Sequence, residues 1–195
     1  MRLKIVQAGE PVLRQAAREV SAEEIRGKEM QQLIEWMRET MRDAPGVGLA
    51  APQIGLSLQL AVIEDPADLQ RAMAPEKLAE RQRGPVPFHV IVNPVLTLEG
   101  PPVEFFEGCL SLPGLLALVP RAARVRVECL DQNGDPKSIA AEGWYARILQ
   151  HEIDHLHGTM YIDRMQTRSL TTAENLNRYW NELPIAEVKS RLGLT

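Results

Sequence analysis

The sequence has almost no cysteine, no long apolar run, no internal repeat and little surplus of either charge, and each shortage closes off a class of protein. Two cysteines, Cys109 and Cys129, are too few for a disulfide framework. One bridge is allowed by the count, but reduced thiols in a reducing compartment are the expectation, each free for a core or metal role. The longest apolar stretches, Leu60–Ile63 and Leu115–Pro120, fall far below the roughly 18 residues that span a bilayer. A net charge of −4 offers no basic face to nucleic acid or an anionic membrane. The opening MRLKIVQAGEP has neither a secretion signal's apolar centre nor a Ser/Arg-rich transit pattern. The expected location is therefore the cytoplasm, or an organelle after trimming.

What is present is an ordinary globular composition, 45% hydrophobic and 25% charged. A chain of 195 residues buries roughly 70% of its unfolded surface, enough for one domain with a sizeable core. Ser21 and Glu24 fit a capping box, and Met30, Leu33, Ile34, Met37 and Met41 recur at helical spacing. A helix is expected over about 22–42, stopped by Ala44-Pro45-Gly46. Short strands should follow at 58–63, 88–92, 95–98, 103–106 and 124–130. In the last, Val125, Val127 and Cys129 alternate with Arg124, Arg126 and Glu128, and Asn133-Gly134 then signals a hairpin turn. Residues 64–87 read as a charged surface excursion with a short helix, and 164–195 as a C-terminal tail. A second helix is expected over about 144–157, closed by Gly158. The whole predicts a single α+β domain over 1–195, with short antiparallel strands around that second helix and a further N-terminal helix.

The chemistry concentrates in that second helix. His151-Glu152-Ile153-Asp154-His155 is an HExxH pattern, and residues four apart share a helix face, so two imidazoles can grip one metal ion. Glu152, about 100° around the helix, lies beside the ion, where a carboxylate can take a proton from an attacking water and deliver it to a leaving amine. A solvated helix carrying these residues by chance is the bland alternative. The metzincin version of the pattern has a third His at the position of Tyr161, so it does not apply. His157 points away from the pair and reads as a surface residue.

A catalytic ion needs a third protein ligand and an open position. Cys109, after Gly108 in EGCLSLP, is the best candidate, although buried thiols are commonly inert. Cys129 belongs to the inward face of its strand. Gly46-Val47-Gly48-Leu49-Ala50-Ala51-Pro52-Gln53 superficially fits a dinucleotide turn, but it follows a helix rather than a strand, which rejects that site.

GVGLAAPQ at 46–53, EGCLSLP at 107–113 and QHEIDH at 150–155, in this order, together resemble the three signature motifs of the peptide deformylases. The 64–87 excursion and the run GWYARIL before the His pair resemble the subgroup that includes organellar members. The resemblance implies a hydrolase that removes the formyl group from the N-terminal methionine of nascent polypeptides and releases formate, with water activated on the metal attacking the formyl carbon. It implies Cys109, His151 and His155 as metal ligands and Glu152 as general acid/base. Gln53 and the Leu110 N–H would stabilise the oxyanion. Gly46, Val47, Gly48 and Gly108 would offer backbone to an extended peptide. The implied ion is Fe(II), replaceable by zinc, nickel or cobalt.

Helical spacing adds that Trp144, Arg147, Ile148, His151 and His155 share a face. Trp144 and Ile148 could wall the methionine side chain or be plain core, and Arg147 is expected to send its head to solvent. In the tail, five Lys/Arg against three Glu are too slight a surplus to predict binding to ribosomal RNA, so contact with the ribosome near the peptide exit is left open. The competing readings are a zincin-like endopeptidase, in which Cys109 and Gln53 have no task, a structural zinc domain, which would need a fourth ligand, and an inactive homologue.

Overall fold

The capping box forms: Ser21 Oγ accepts the Glu24 N–H at 3.2 Å and the Glu24 carboxylate accepts the Ser21 N–H at 2.8 Å. It opens α1 (Ala22–Arg26), in a computed structural model that describes residues 1–71 and 73–194. The single helix expected to residue 42 is in fact two. Gly27, extended at φ −64 and ψ 144, breaks it before α2 (Lys28–Asp43), because glycine loses most by staying helical. Met30, Ile34, Met37 and Met41 then form the buried stripe of α2.

One antiparallel sheet runs in the order β1 (Gly48–Ala50), β2 (Leu60–Asp65), β3 (Val86–Cys109), β4 (Leu112–Leu130) and β5 (Pro136–Glu142). The three strands expected between 88 and 106 are a single long strand. Pro94 and Gly100-Pro101-Pro102 read as breaks, but register shifts between Val92 and Val95 and between Glu99 and Pro102 absorb them as bulges. β4 likewise starts well before residue 124. The Asn133-Gly134 turn joins β4 to β5, with Gly134 at φ +79.

Alternation along the strands sorts the core into two layers. Leu49, Leu60, Val62, Val90 and Val92 pack on α2, whereas Ala50, Ala61, Ile63 and Ile91 face α5 (Gly143–Leu156) across the sheet. With helices on both faces, β2 is buried throughout, and it opens on the continuous apolar run Leu60–Ile63 before ending in Glu64 and Asp65. Each fully buried Leu, Val or Ile among these contributes roughly 1.5–3 kcal/mol of burial. At the end of α5, Gly158 sits at φ +72, where an added Cβ would meet Arg14 backbone at 2.8 Å, so only glycine closes the helix there.

The 64–87 segment is only partly at the surface. It begins with the buried Glu64 and Asp65 and carries α3 (Ala67–Gln70) and α4 (Pro75–Glu80). It then returns through Arg83, which forks onto Asp65 at 2.7 and 2.9 Å. In the tail, β6 (Thr171–Thr172) pairs with Leu115–Leu116, and α6 (Ala173–Asn175) runs into a wider turn to Trp180 before α7 (Ile185–Leu192). Val188, Trp180 and Ile185 pack on Phe106 and Leu118 of the β3–β4 hairpin. No helix among the described residues is long and apolar enough to cross a membrane.

Candidate active site

β3 ends at Cys109, and α5 lays His151 and His155 against it, so that one ligand atom from each falls within 4.8 Å of the others. Cys109 Sγ is 3.2 Å from His155 Nε2. Both cysteines are unbridged thiols, and Cys129 lies apart, in the core between the sheet and α5. A thiolate with two imidazoles suits several divalent ions, and three protein donors leave a position open. The described residues bring no fourth His, Cys or carboxylate into the cluster.

His151 Nδ1 lies 3.1 Å from Glu107 Oε2, which leaves Nε2 as the nitrogen free to ligate. Tyr161, where a metzincin has its third histidine, stacks on His151 with the rings 20° apart and donates its hydroxyl to Leu115 O at 3.0 Å. It braces the ring rather than binding an ion. His157 is exposed, as the helix phase predicts.

Glu152 is buried, and its Oε2 has no hydrogen-bond partner. It presses against Gly48, where an added Cβ would lie 2.5 Å from Glu152 Cδ, so β1 must carry glycine there. Burial pushes the Glu152 carboxyl up to about 7, against a smaller downward pull from His151. A divalent cation alongside would draw it back down. Gln53 is held in one orientation. Its Oε1 accepts the Ala50 N–H at 2.9 Å, and its Nε2 lies 3.4 Å from both Cys109 Sγ and Ser111 Oγ. The amide donor therefore faces the Cys109 side.

A cavity of about 730 Å³ opens over this cluster. Its wall includes Gly46, Val47, Gly48, Gly108, Leu110, Trp144 and Ile148, so every residue singled out for substrate contact comes to one place. Trp144 and Ile148 also pack against the core, so the two readings of them coexist.

Arg147 departs from expectation. Its head is buried, donating to Glu107 Oε1 at 2.6 Å, Val119 O at 2.9 Å and Val103 O at 2.6 Å. The cause is Glu107, a buried carboxylate that needs cations. Arg121 forks onto it at 3.0 Å twice and also pairs with Asp154, which Arg164 clamps at 2.7 Å twice. Burial opposes ionisation of Glu107, but the His151 and Arg121 contacts outweigh it and hold the carboxyl well below the usual range. The sequence reading missed this network. Its signal was Phe105, Glu107 and Cys109 at alternate strand positions, which places the acid on the same buried face as the thiol. Also missed was the N-terminal segment, where Val6 N–H bonds Gln53 O and Ala8 N–H bonds Ser111 O, each at 2.8 Å, stitching two motif loops together.

Known proteins match both the sequence and this geometry. A profile described as polypeptide deformylase covers residues 2–170. The chain is 44% identical over 191 residues to the chloroplastic peptide deformylase 1A of Solanum lycopersicum, covering 97% of this chain and 67% of the relative. It is 46% identical over 193 residues to peptide deformylase 3 of Streptomyces avermitilis, covering 98% and 84%. Among solved structures, the Met-Ala-Ser-bound class I type b peptide deformylase of Acinetobacter baumannii superposes with a TM-score of 0.75 at 32% identity, covering 85% of this chain and 99% of that one. With plant and bacterial relatives matched along nearly its whole length, the chain belongs to the polypeptide deformylase family.

Proposed function

We propose that this protein removes the formyl group from the N-terminal methionine of nascent polypeptides, by hydrolysis of the formamide bond with release of formate. The observation that carries the reading is a buried carboxylate with an unpartnered oxygen, Glu152, set beside a Cys109, His151 and His155 donor cluster, with Glu152, Cys109 and His151 on the wall of one cavity. The activity belongs where translation starts on formyl-methionine, in bacterial cytoplasm or an organelle.

Cys109, His151 and His155 would hold one divalent ion, with Fe(II) the native choice and zinc, nickel or cobalt as substitutes. When bound, such an ion supplies a more acidic water and a polarised carbonyl. Glu152 takes the proton from the attacking water and hands it to the departing amine, and its buried, unpartnered oxygen keeps a lone pair available for both transfers. Gln53 Nε2 and the Leu110 N–H donate to the oxygen on which negative charge grows. Because Ala50 pins the Gln53 amide, that donor needs no reorganisation as charge develops. Gly46, Val47, Gly48 and Gly108 pair with the extended backbone of the peptide. Trp144 and Ile148 wall the methionine side chain. Met-Ala-Ser, bound in the Acinetobacter relative, is what formyl-Met-Ala-Ser would leave behind.

The test is formate release from formyl-Met-Ala-Ser by protein stripped of metal and reloaded with Fe(II), Zn, Ni or Co. Activity should return with bound ion, and the iron form should fade in air and be protected by catalase or a reductant. Full activity in the stripped protein would overturn the reading. Equal half-lives in air and argon would exclude iron as the native ion.

A further inference from the structure

Three arginines reach the cavity wall around Trp144, and two of them already have carboxylates. Arg83 is forked onto Asp65, and Arg147 is bound to Glu107 and two carbonyls. Arg81 has no hydrogen-bonded acceptor among the described residues, and its Nε is buried without a partner. Its guanidinium stacks 4.8 Å from the Trp144 ring centre and 5.7 Å from that of Phe105.

This cation is not a loose surface arm. Arg81 O accepts the Trp144 N–H at 2.9 Å. Gly143, at φ +58, admits the contact, since an added Cβ would meet Arg81 O at 2.8 Å. Burial first, then the charge of Arg83, lowers the pKa of Arg81. Among the described residues, Glu80 is the one anion that acts on Arg81, and it makes no hydrogen bond or close ion pair with it. A half-buried cation so weakly matched is costly to keep, and an arriving carboxylate relieves that cost through a charge-assisted hydrogen bond.

We propose that Arg81 reads the third residue of the formylated peptide and favours Asp or Glu there. The inference rests on the reading of Trp144 and Ile148 as the wall of the first-residue pocket. A peptide extended along Gly46–Gly48 sends its first and third side chains to the same face, about 7 Å apart, and its second to the other. Arg81, stacked on the wall that receives the first side chain, meets the third. The 64–87 segment, which delivers Arg81, is thereby a specificity element.

The experiment compares kcat/KM of the metal-loaded protein on amide-capped formyl-Met-Ala-Glu and formyl-Met-Ala-Gln, and on formyl-Met-Glu-Ala and formyl-Met-Gln-Ala. Capping removes the terminal carboxylate, which offers the same chemistry; uncapped formyl-Met-Ala reports that source separately. Glu over Gln at the third residue should gain about fivefold to tenfold, carried by KM and shrinking with added salt, while the ratio at the second stays near one. Arg81→Gln should bring the third-residue ratio to about one, Arg81→Lys should keep part of it, and Arg81→Glu should favour formyl-Met-Ala-Lys instead. Ratios taken within one variant cancel any general damage to the pocket. A ratio of one in the unaltered protein, an unchanged ratio in Arg81→Gln, or an equal preference at the second residue would overturn the inference. Formate from none of the peptides would sink the deformylase reading itself, and this inference with it.

Discussion

The two sides of the His151 ring are built on opposite principles. On the cavity side stand groups with unused bonding capacity: the Cys109, His151 and His155 donors, and a Glu152 oxygen with no partner. On the far side Glu107, Arg121, Arg147, Asp154 and Arg164 form a closed network in which each carboxylate is bound by at least two cations or rings. A buried polar atom left unpaired costs roughly 1–3 kcal/mol, so it persists where it has work to do. The closed side holds the ring so that the open side can act.

Seven substitutions in four groups probe this contrast, from the largest effect to the smallest. Cys109→Ala, His151→Ala and His155→Ala should each lose bound metal and with it formate release, whereas Cys129→Ala should keep the metal; elemental analysis of the purified variants decides. A Cys109→Ala protein with full, tightly held metal would break the contrast at its centre. Glu152→Gln should retain metal yet lose at least about 10²-fold in kcat. Its stability should hold or rise, because the amide avoids burying a carboxylate without a partner. Thermal melts beside single-turnover rates separate the two effects, and near-normal turnover would require another proton carrier.

Arg121→Met should act the other way round. Leaving Glu107 and Asp154 short of a buried partner should cost about 3–5 kcal/mol of stability by denaturant titration. Metal affinity should fall about 10–100-fold as the support behind His151 loosens. A melt unchanged from the parent would mean that the network is not a brace. His157→Ala, on the exposed turn after the helix, should stay within about 0.5 kcal/mol and leave metal content alone.

The same contrast explains what the sequence reveals. The open side lies in short contiguous runs with fixed spacing, HExxH above all, so helix periodicity alone brings His151 and His155 together. The Ser21 and Glu24 cap and the Asn133-Gly134 turn are equally local, and each forms as read. The closed side draws Glu107, Arg121, Arg147 and Asp154 from three elements, and only β3–β4 pairing and the packing of α5 join them. For that reason Arg147 reads as a snorkelling surface arginine in the sequence and is an internal counter-charge in the fold. The bulges at Pro94 and Pro101-Pro102 hide one strand as three for a related reason. Proline ends a strand locally, unless a neighbour's register shifts to accept it. Gly27 shows the converse, a single glycine that ends one helix and starts the next although the apolar spacing runs on past it.

The most direct measurement sets formyl-Met-Ala-Ser against acetyl-Met-Ala-Ser at one pH and in one metal form, with formate, acetate and bound metal all quantified. In the proposed function the Gln53 amide, the Leu110 N–H and the pair of helical histidines would enclose the reacting carbon, where a formyl group carries only hydrogen and an acetyl group carries a methyl. Overpacking costs about 1–3 kcal/mol, and a misplaced carbon can cost about a further 10²-fold in rate. The account predicts formate release in proportion to bound metal and at least about 10³-fold discrimination against acetyl in kcat/KM. Comparable rates on the two peptides, or metal-loaded protein that releases no formate, would contradict it.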